Sequence, residues 1–283
     1  MFEIKGKTIG DANPLVMGIL NLTSDSFYKG SRILELNQLT YTAHRMASEG
    51  VDIFDLGAVS TRPGAIITDE KDELKKLLPA IRLIRKSFPE LIISVDTFRS
   101  GIARAMMDEG ADIINDISGG LADPQMAELI GRNNQPYVMM HMIGTPETMQ
   151  QNPLDQGVVK VVRDFFLQQL DRFFQHGASR IILDPGFGFG KTIQANYDLL
   201  LSLEELKIGQ HPLLVGISRK SMIYKPLNIF PEDALFGTTA LNLLALQQGA
   251  SILRVHDVKQ AVECKRLYDL IEESRKRLKT VGS

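Results

Sequence analysis

Several polar residues of this sequence directly follow short apolar runs, where a charged or amide side chain is unusual. Asp96, Asn115 and Asp184 each end such a run. A buried carboxylate is costly unless it is hydrogen-bonded, and three such groups at one site could read the amino and ring N–H groups of a flat heterocycle. Acidic pairs also bind metal ions, or act as acid and base in glycoside hydrolysis. These three residues alone leave both alternatives open.

Cationic side chains follow two further runs near the C-terminal end, and one lies in an early loop. The segment 218–220 reads Ser-Arg-Lys, and Arg254 and His256 lie two positions apart in a later run. Alternate residues of a strand point to the same face, so Arg254 and His256 can face one ligand. The loop 60–64, Ser-Thr-Arg-Pro-Gly, adds hydroxyls and a guanidinium whose planar donors suit an anion. An incidental surface Arg is the plainer alternative for that loop.

Two more segments carry chemical signals. Asn21 ends the first apolar run, and its neutral oxygen could complete the shell of a Mg²⁺ ion that keeps its waters and bridges phosphates. A capping Asn in a turn is the alternative. The glycine-rich segment 184–192 fits no nucleotide loop, because Pro185 stands where the P-loop pattern needs Gly and Lys191 where the dinucleotide pattern needs its third Gly. Its glycines alternate with Phe, which is typical of close approach to a flat aromatic ligand.

These residues are spaced along a regular alternation of short apolar runs and helical segments. Several helical segments end in Gly, at positions 50, 110, 177 and 249, which suits a left-handed C-cap. Eight strand-helix units predict a parallel sheet closed into a (β/α)₈ TIM barrel, in which all strand ends meet at one mouth. An open doubly wound sheet is the alternative, but it would spread the polar residues along an edge. The predicted strands are 15–20, 51–56, 91–95, 111–114, 137–140, 180–183, 213–217 and 251–255.

Length and composition fit one domain. A barrel of this kind typically needs about 250 residues, so the 283 residues are predicted to form a single domain over 1–283. The net charge of -2 gives no broad basic surface for nucleic acid or an anionic membrane. One cysteine, Cys264, excludes an internal disulfide bond and a multi-cysteine zinc site. The sequence has no signal core and no apolar run of about 18 residues, which predicts a cytoplasmic protein.

Taken in order, the loops resemble those of the dihydropteroate synthase family from about residue 15 to residue 258. The matching motifs are Asn-x-Thr-x-Asp-Ser-Phe, Ser-Thr-Arg-Pro-Gly, Val-Asp-Thr, Asn-Asp-Ile-Ser, Asp-Pro-Gly-Phe-Gly-Phe-Gly-Lys, Ser-Arg-Lys and Arg-Val-His-Asp. The resemblance implies a transferase that condenses (7,8-dihydropterin-6-yl)methyl diphosphate with 4-aminobenzoate, giving 7,8-dihydropteroate and diphosphate by an SN1-like step. It also implies small-molecule substrates, Mg²⁺ and a homodimer.

The resemblance also assigns roles to individual residues. The expected pterin readers are Asp96, Asn115, Met140, Asp184 and Lys220. The expected diphosphate site consists of Asn21, Arg62, Arg254 and His256, with Asn21 as the metal contact. The expected aminobenzoate pocket, which sulfonamides occupy in this family, consists of Phe27, Thr61, Pro63, Phe189, Ser218 and Lys220. Catalysis is expected to depend on Asp96, Asp184, Lys220, Arg254 and His256.

The sequence departs from the family pattern in its first two loops. Ser24 stands where Pro is usual, Tyr28-Lys29 where Ser-Asp is frequent, and Ala58-Val59 where Gly-Glu is common. These changes spare the matched site residues and leave closure of the two loops open. Two rival functions therefore stay open: a pterin-binding methyltransferase barrel, which needs no diphosphate site, and a non-catalytic pterin-binding protein.

Overall fold

The computed structural model describes residues 1–22, 29–57 and 69–281, and these form ten β-strands and nine α-helices. The strands are β1 (Phe2–Ile4), β2 (Lys7–Ile9), β3 (Leu15–Asn21), β4 (Ile53–Gly57), β5 (Ile92–Asp96), β6 (Ile113–Asp116), β7 (Tyr137–Met140), β8 (Ile181–Asp184), β9 (Leu214–Val215) and β10 (Ile252–Val255). The helices are α1 (Lys29–Glu49), α2 (Glu70–Ser87), α3 (Ser100–Asp108), α4 (Met126–Asn133), α5 (Val158–Gln175), α6 (Ile193–Leu201), α7 (Ser221–Leu227), α8 (Leu235–Gln247) and α9 (Val258–Val281).

Strands β3 to β10 form one parallel sheet that closes on itself. Within the described residues the hydrogen-bonded order is β8, β7, β6, β5, β4, β3, β10, β9. The two ends of this order meet, because Leu183 of β8 forms a parallel bridge with Leu213. The N–H of Leu183 also donates to the carbonyl of Pro212 at 2.8 Å. This closure confirms the predicted (β/α)₈ barrel and excludes the open doubly wound sheet.

Residues of each barrel strand alternate between a layer inside the barrel and a layer beneath the helices. The outward side chains, such as Phe54 and Val95, pack with the helices in a large buried cluster. The inward side chains near the N-terminal ends of the strands form a separate apolar cluster. Because this cluster fills the bottom of the barrel, polar groups can occupy the next inward positions toward the mouth. The residues that the barrel strands and their N-terminal ends contribute to the inner cluster are Leu15, Met17, Ile53, Ile92, Ile113, Val138, Ile182, Leu214 and Ile252.

The hairpin of β1 and β2 covers the N-terminal end of the barrel and precedes the predicted strand-helix pattern. The two strands pair antiparallel, with Ile4 opposite Lys7. Lys5 and Gly6 connect them with φ values of 46° and 73°, as a two-residue type I′ turn requires. Ile4 and Ile9 join the inner apolar cluster. The hairpin therefore closes the bottom of the barrel.

Helix and strand boundaries follow the predicted pattern with one clear exception. The predicted strand 213–217 is shortened to Leu214–Val215, because the chain enters a turn closed by the Lys220 N–H on the Ile217 carbonyl at 3.1 Å. The four predicted helix-ending glycines have φ between 91° and 96°, which confirms their left-handed conformation: Gly50, Gly110, Gly177 and Gly249.

The helices that the structure describes include none that is both long and apolar enough to cross a membrane. The cytoplasmic location expected from the sequence stays a prediction.

Candidate active site

The C-terminal ends of the barrel strands bring several predicted site residues to one mouth. Asp96 ends β5, Met140 ends β7 and Asp184 ends β8, and all three are buried. Asn115 lies beside Asp96 in the β5–β6 register, as Met140 lies beside Asp184 in the β7–β8 register. Strand alternation turns these side chains inward, above the apolar cluster. The structure therefore brings together the residues that the sequence placed at strand ends.

Asp55 of β4 lies deeper in the barrel and was not among the predicted site residues. Its carboxylate is fully buried and accepts hydrogen bonds from Ser94 Oγ at 2.6 Å and Asn115 Nδ2 at 3.1 Å. Arg254 donates to Asp55 through Nε at 2.7 Å and reaches Asp96 through a terminal nitrogen at 3.4 Å. One carboxylate thus connects β4 with β5, β6 and β10 inside the barrel.

Lys220 extends over the aromatic ring of the glycine-rich loop. Its Nζ lies 4.7 Å from the Phe189 ring centroid and donates to the Phe187 carbonyl at 2.6 Å. A Cβ placed on Gly216 would lie 3.9 Å from both Lys220 Nζ and Arg254 Cδ, so the two cations approach each other across a residue without a side chain. Phe187 is fully buried, whereas Phe189 is partly exposed. Phe189 is therefore the ring that this loop presents at the mouth.

Two neighbouring residues join the loops that follow β9 and β10. Ser218 Oγ lies 3.0 Å from His256 Nδ1 and accepts a bond from the His256 backbone N–H at 3.2 Å. Arg219 points away from Lys220 and forms two bonds of 2.8 Å with the carboxylate of Asp257. Its backbone has a φ of 55°, a left-handed conformation that sends consecutive side chains in different directions. Of the two adjacent cations, Lys220 extends into the barrel mouth, whereas Arg219 binds Asp257 and connects the loops that follow β9 and β10.

Lys191 supports the glycine-rich loop from within the protein. Its side chain is buried, and its Nζ donates to the carbonyls of Gly186, Phe189 and His141 at 2.8, 3.1 and 3.3 Å. These bonds tie the end of β7 to the loop after β8. Lys191 therefore stabilises the loop conformation. This role agrees with the sequence of segment 184–192, which does not match a phosphate-binding loop.

Burial and neighbouring charges shift the ionisation of the mouth residues. Burial and the negative charge of Asp55 raise the pKa of Asp96 to about 8, against the opposing charge of Arg254. Burial raises the pKa of Asp184, and Lys220 opposes that shift. Burial also lowers the pKa of Lys220 to about 8, while Asp184 acts in the other direction. Burial therefore favours the protonated form of Asp96 and the neutral form of Lys220, relative to the same groups in water, and the neighbouring charges of Arg254 and Asp184 oppose these two shifts.

Asn21 ends β3 at the rim of the mouth and is exposed. It lies beside Gly57 in the sheet register, and Gly57 lies beside Asp96. A Cβ on Gly57 would lie 3.8 Å from Asn21 Oδ1, so the missing side chain leaves space next to the amide oxygen. Within the described residues no group of three or more His, Cys, Asp or Glu could hold a metal ion. The donors fit a hydrated Mg²⁺ ion shared with a phosphate ligand better than an ion enclosed by protein.

Four of the predicted site residues lie outside the described residues: Phe27, Thr61, Arg62 and Pro63. The departures from the family pattern at Ser24, Tyr28 and 58–59 lie there as well. The roles of these positions stay predictions.

Similarity to known proteins covers almost the whole chain. The family described as "Pterin binding enzyme" matches residues 17–256. The dihydropteroate synthase of Escherichia coli (strain K12) is 42% identical over 267 residues, which are 94% of each chain. The dihydropteroate synthase of Synechocystis sp. is 40% identical and covers 94% of this chain and 93% of its own length. The chain belongs to the dihydropteroate synthase family.

Solved structures of the dihydropteroate synthase family share this fold. The Yersinia pestis dihydropteroate synthase, crystallised with a sulfonamide drug complex, has a TM-score of 0.89 and is 38% identical, covering 96% of this chain and 99% of its own. The Xanthomonas albilineans dihydropteroate synthase with 4-aminobenzoic acid has a TM-score of 0.83 at 35% identity and covers 92% and 93%. The predicted enzyme class, a transferase, is confirmed with the family.

Sequence reasoning gave no role to two residues that organise this dihydropteroate synthase-family site. Asp55 lies between Ile53 and Gly57 on the inward face of β4, so a period-of-two reading of the strand would have identified it. Asp257 follows His256 directly, but its pairing with Arg219 depends on the left-handed backbone conformation of Arg219. No pattern in the surrounding sequence predicts that conformation.

Proposed function

We propose that this member of the dihydropteroate synthase family condenses (7,8-dihydropterin-6-yl)methyl diphosphate with 4-aminobenzoate to give 7,8-dihydropteroate and diphosphate. The bond between the pterin methylene carbon and the diphosphate oxygen breaks, and the arylamine nitrogen bonds to that carbon and loses a proton. The observation that carries the proposal is the buried set of Asp96, Asn115 and Asp184, which shares one barrel mouth with Lys220 and Arg254.

The pterin ring is proposed to lie among Asp96, Asn115, Asp184 and Lys220, with Met140 against one face. Carboxylate and amide oxygens accept bonds from the amino and ring N–H groups of a pterin, and an ammonium group donates to its ring oxygen or nitrogen. Burial raises the pKa of Asp96, and in its protonated form Asp96 can also donate a bond. Met140 offers a polarizable thioether to a flat ring.

The diphosphate is proposed to lie at Asn21, Arg254 and His256, with Arg62 as a further contact. Without ligand, burial and the charge of Arg254 lower the pKa of His256 to about 4, and the negative charge of a bound diphosphate would act in the opposite direction. In either state the His256 ring can donate a hydrogen bond to the diphosphate. Ser218, 3.0 Å from His256 Nδ1, limits rotation of that ring. Mg²⁺ held through Asn21 would neutralise part of the diphosphate charge.

Departure of diphosphate leaves positive charge delocalised over the dihydropterin, as in an SN1-like step. As this charge develops, the ionised forms of Asp96 and Asp184 become more favourable, because a nearby positive charge lowers a carboxyl pKa. The arylamine is a neutral nucleophile, so the site has to position it rather than deprotonate it before attack. The residues proposed to surround the 4-aminobenzoate are Phe27, Thr61, Pro63, Phe189, Ser218 and Lys220.

The test is release of diphosphate from purified protein given both substrates and Mg²⁺, with wild type compared to Lys220→Ala. We expect release to require both substrates and kcat/KM to fall at least about 100-fold in the variant, the usual effect of losing one well-placed donor. Lys160→Ala is the matched control, because this exposed lysine lies on α5 and pairs with Asp164. Wild-type protein that releases no diphosphate, or a Lys220→Ala variant as active as the control, would contradict the proposal.

The two rival functions differ in what they do with the pterin diphosphate. The relatives that match 94% of this chain carry the name dihydropteroate synthase, which speaks against the methyltransferase alternative. A non-catalytic pterin-binding protein would bind the diphosphate substrate in a calorimeter and release nothing on addition of the arylamine. The release assay separates this case from the synthase.

The proposed homodimer is supported by exposed apolar side chains at α7 and α8. Leu227, Phe230 and Phe236 are 57%, 73% and 88% exposed, and a Cβ on Gly237 would lie 3.6 Å from Leu227 Cδ1. Large apolar side chains this exposed, within ten residues of the sequence and with α7 and α8 in contact at Leu227 and Gly237, are typical of an interface. Light scattering should report a dimer for wild type and a smaller species for Phe236→Asp; a monomeric wild type would contradict this assignment.

A further inference from the structure

Asp55 has no access to a ligand, because its side chain is fully buried below the mouth. Its carboxylate nevertheless meets side chains of three other strands, namely Ser94, Asn115 and Arg254, at 2.6, 3.1 and 2.7 Å. Two of these three, Asn115 and Arg254, belong to the proposed substrate site. Any influence of Asp55 on the reaction therefore passes through the residues that it holds.

The contact with Asp55 fixes the orientation of the Asn115 amide. An ionised carboxylate accepts hydrogen bonds and donates none. The amide group that faces Asp55 is accordingly the NH₂ of Asn115, whose nitrogen lies 3.1 and 3.4 Å from the two carboxylate oxygens. The carbonyl oxygen of Asn115 then lies on the side away from Asp55, which the proposed function assigns to the ligand. An oxygen at that position selects an N–H group of the ligand and rejects an acceptor atom.

The same carboxylate fixes the Arg254 guanidinium. The bond from Nε to Asp55 holds the donor nearest the side-chain stem at 2.7 Å, and the contact with Asp96 at 3.4 Å is longer. A planar guanidinium held at Nε keeps the direction of its remaining donors. Asp55 also supplies a fully buried counter-charge for this cation. Among the described residues the other carboxyl group paired with Arg254 is Asp96, whose ionised form is disfavoured by burial.

We propose that Asp55 is a positioning residue of the active site, which holds the Arg254 guanidinium and orients the Asn115 amide so that its oxygen reads an N–H group of the pterin. The inference rests on the proposed function, because it takes the pterin diphosphate as the ligand.

Asp55 also acts on the charge of Asp96, and this gives a second readout, which reports the buried charge of Asp55 beside Arg254 and Asp96. The charged groups that face Asp96 are Asp55 on β4, Arg254 on β10, Asp116 on β6 and Glu73 on α2. Loss of the Asp55 charge removes a repulsion and leaves the Arg254 charge free to act on Asp96. Both changes lower the pKa of Asp96.

The first experiment compares Asp55→Asn with Ser94→Ala in calorimetric binding of the pterin diphosphate with Mg²⁺. Asp55→Asn keeps the side-chain size and one acceptor oxygen but removes the charge, so we expect the Kd to rise at least about tenfold. Ser94→Ala removes a hydrogen bond to the same carboxylate and leaves its charge, so we expect a change below about threefold.

The second measurement follows the carboxyl ¹³C resonance of Asp96 through a pH titration of the protein without substrates, and Asp96→Asn identifies that resonance by its loss. In wild type and Ser94→Ala the resonance should titrate above pH 7. In Asp55→Asn it should titrate at least about one pH unit lower.

A double variant, Asp55→Asn with Ser94→Asp, moves the carboxylate to the residue paired with Asp55 on β5. It keeps a buried charge for folding but displaces it by about 4.8 Å, the spacing of adjacent strands, away from β10. We expect the same loss of binding as in Asp55→Asn, and this variant carries the test if the single one does not fold.

Three outcomes overturn the positioning role. These are wild-type affinity in Asp55→Asn or in the double variant, an unmoved Asp96 titration in Asp55→Asn, and failure of both variants to fold, which would make Asp55 structural. If wild type neither binds nor turns over the pterin diphosphate, the proposed function fails instead. The Asp96 titration then still tests the position of Asp55.

Discussion

The ion pair between Arg219 and Asp257 is predicted to stabilise the fold by about 2 kcal/mol. Exposed pairs are worth about 0–1 kcal/mol, and breaking a buried pair costs about 3–5 kcal/mol. These two side chains are 25% and 20% exposed, so their pair lies between the two cases. Arg219 also donates to the carbonyls of Pro231 and Glu232, at 3.2 and 2.6 Å, at about 1 kcal/mol per bond. Arg219→Ala should therefore cost about 3–4 kcal/mol, and Asp257→Ala about 2 kcal/mol.

A double-mutant cycle in urea denaturation measures the pair itself. The coupling free energy of Arg219→Ala with Asp257→Ala should be about 1–2 kcal/mol. Lys160 and Asp164 form the matched control pair, since their side chains are 82% and 57% exposed, and their coupling should stay below about 0.5 kcal/mol. If the Arg219–Asp257 coupling does not exceed that of the control, the pair does not hold the two loops together and the reasoning is refuted.

Three further predictions follow from burial and backbone geometry. Because burial raises the pKa of Asp96 from 3.8 to about 8, the folded protein loses stability as pH rises through that window. Asp96→Asn should therefore gain at least about 1 kcal/mol over wild type between pH 5 and pH 8.5 in urea unfolding, and a constant difference would contradict this. Gly186→Ala would place a Cβ 1.9 Å from the His141 carbonyl oxygen, so the variant should lose more than about 3 kcal/mol of its free energy of unfolding or fail to fold. Gly209 is also at positive φ but has open space around it, so Gly209→Ala should lower the free energy of unfolding by about 1 kcal/mol. Burial raises the pKa of the Cys264 thiol to about 11. A thiol reagent at pH 8 should therefore label Cys264 only at urea concentrations above the unfolding midpoint. Rapid labelling of the folded protein would be inconsistent with this burial.

The barrel and the strand-end residues could be predicted from the sequence because both depend on local patterns. Short apolar runs separated by helical segments leave few topologies, and a parallel barrel necessarily collects its C-terminal strand ends. Asp96, Asn115 and Asp184 therefore meet as predicted.

The directions of Arg219 and Lys220 could not be predicted in the same way. Adjacent residues of a strand alternate, but residues of a turn follow their own backbone angles, and the φ of 55° at Arg219 is set by its tertiary contacts. The Arg219 N–H donates to Thr238 Oγ1 at 3.1 Å, and the side chain is held by Asp257. These partners lie 19 and 38 residues away in the sequence, beyond the reach of a local pattern.

The interior of the barrel changes from apolar to charged between one inward-facing residue of a strand and the next. This transition explains how the site is built. On β4 the inward series is Ile53, Asp55, Gly57. Asp55 can remain buried because it is neutralised by Arg254, so this ion pair lies directly above the apolar cluster. Above that layer Gly57 contributes no side chain beside Asn21 and Asp96, and Gly216 contributes none beside Arg254 and Lys220. The ligand space therefore results from glycines placed above a neutralised pair, and any larger residue at either position would fill the space that we assign to the pterin diphosphate.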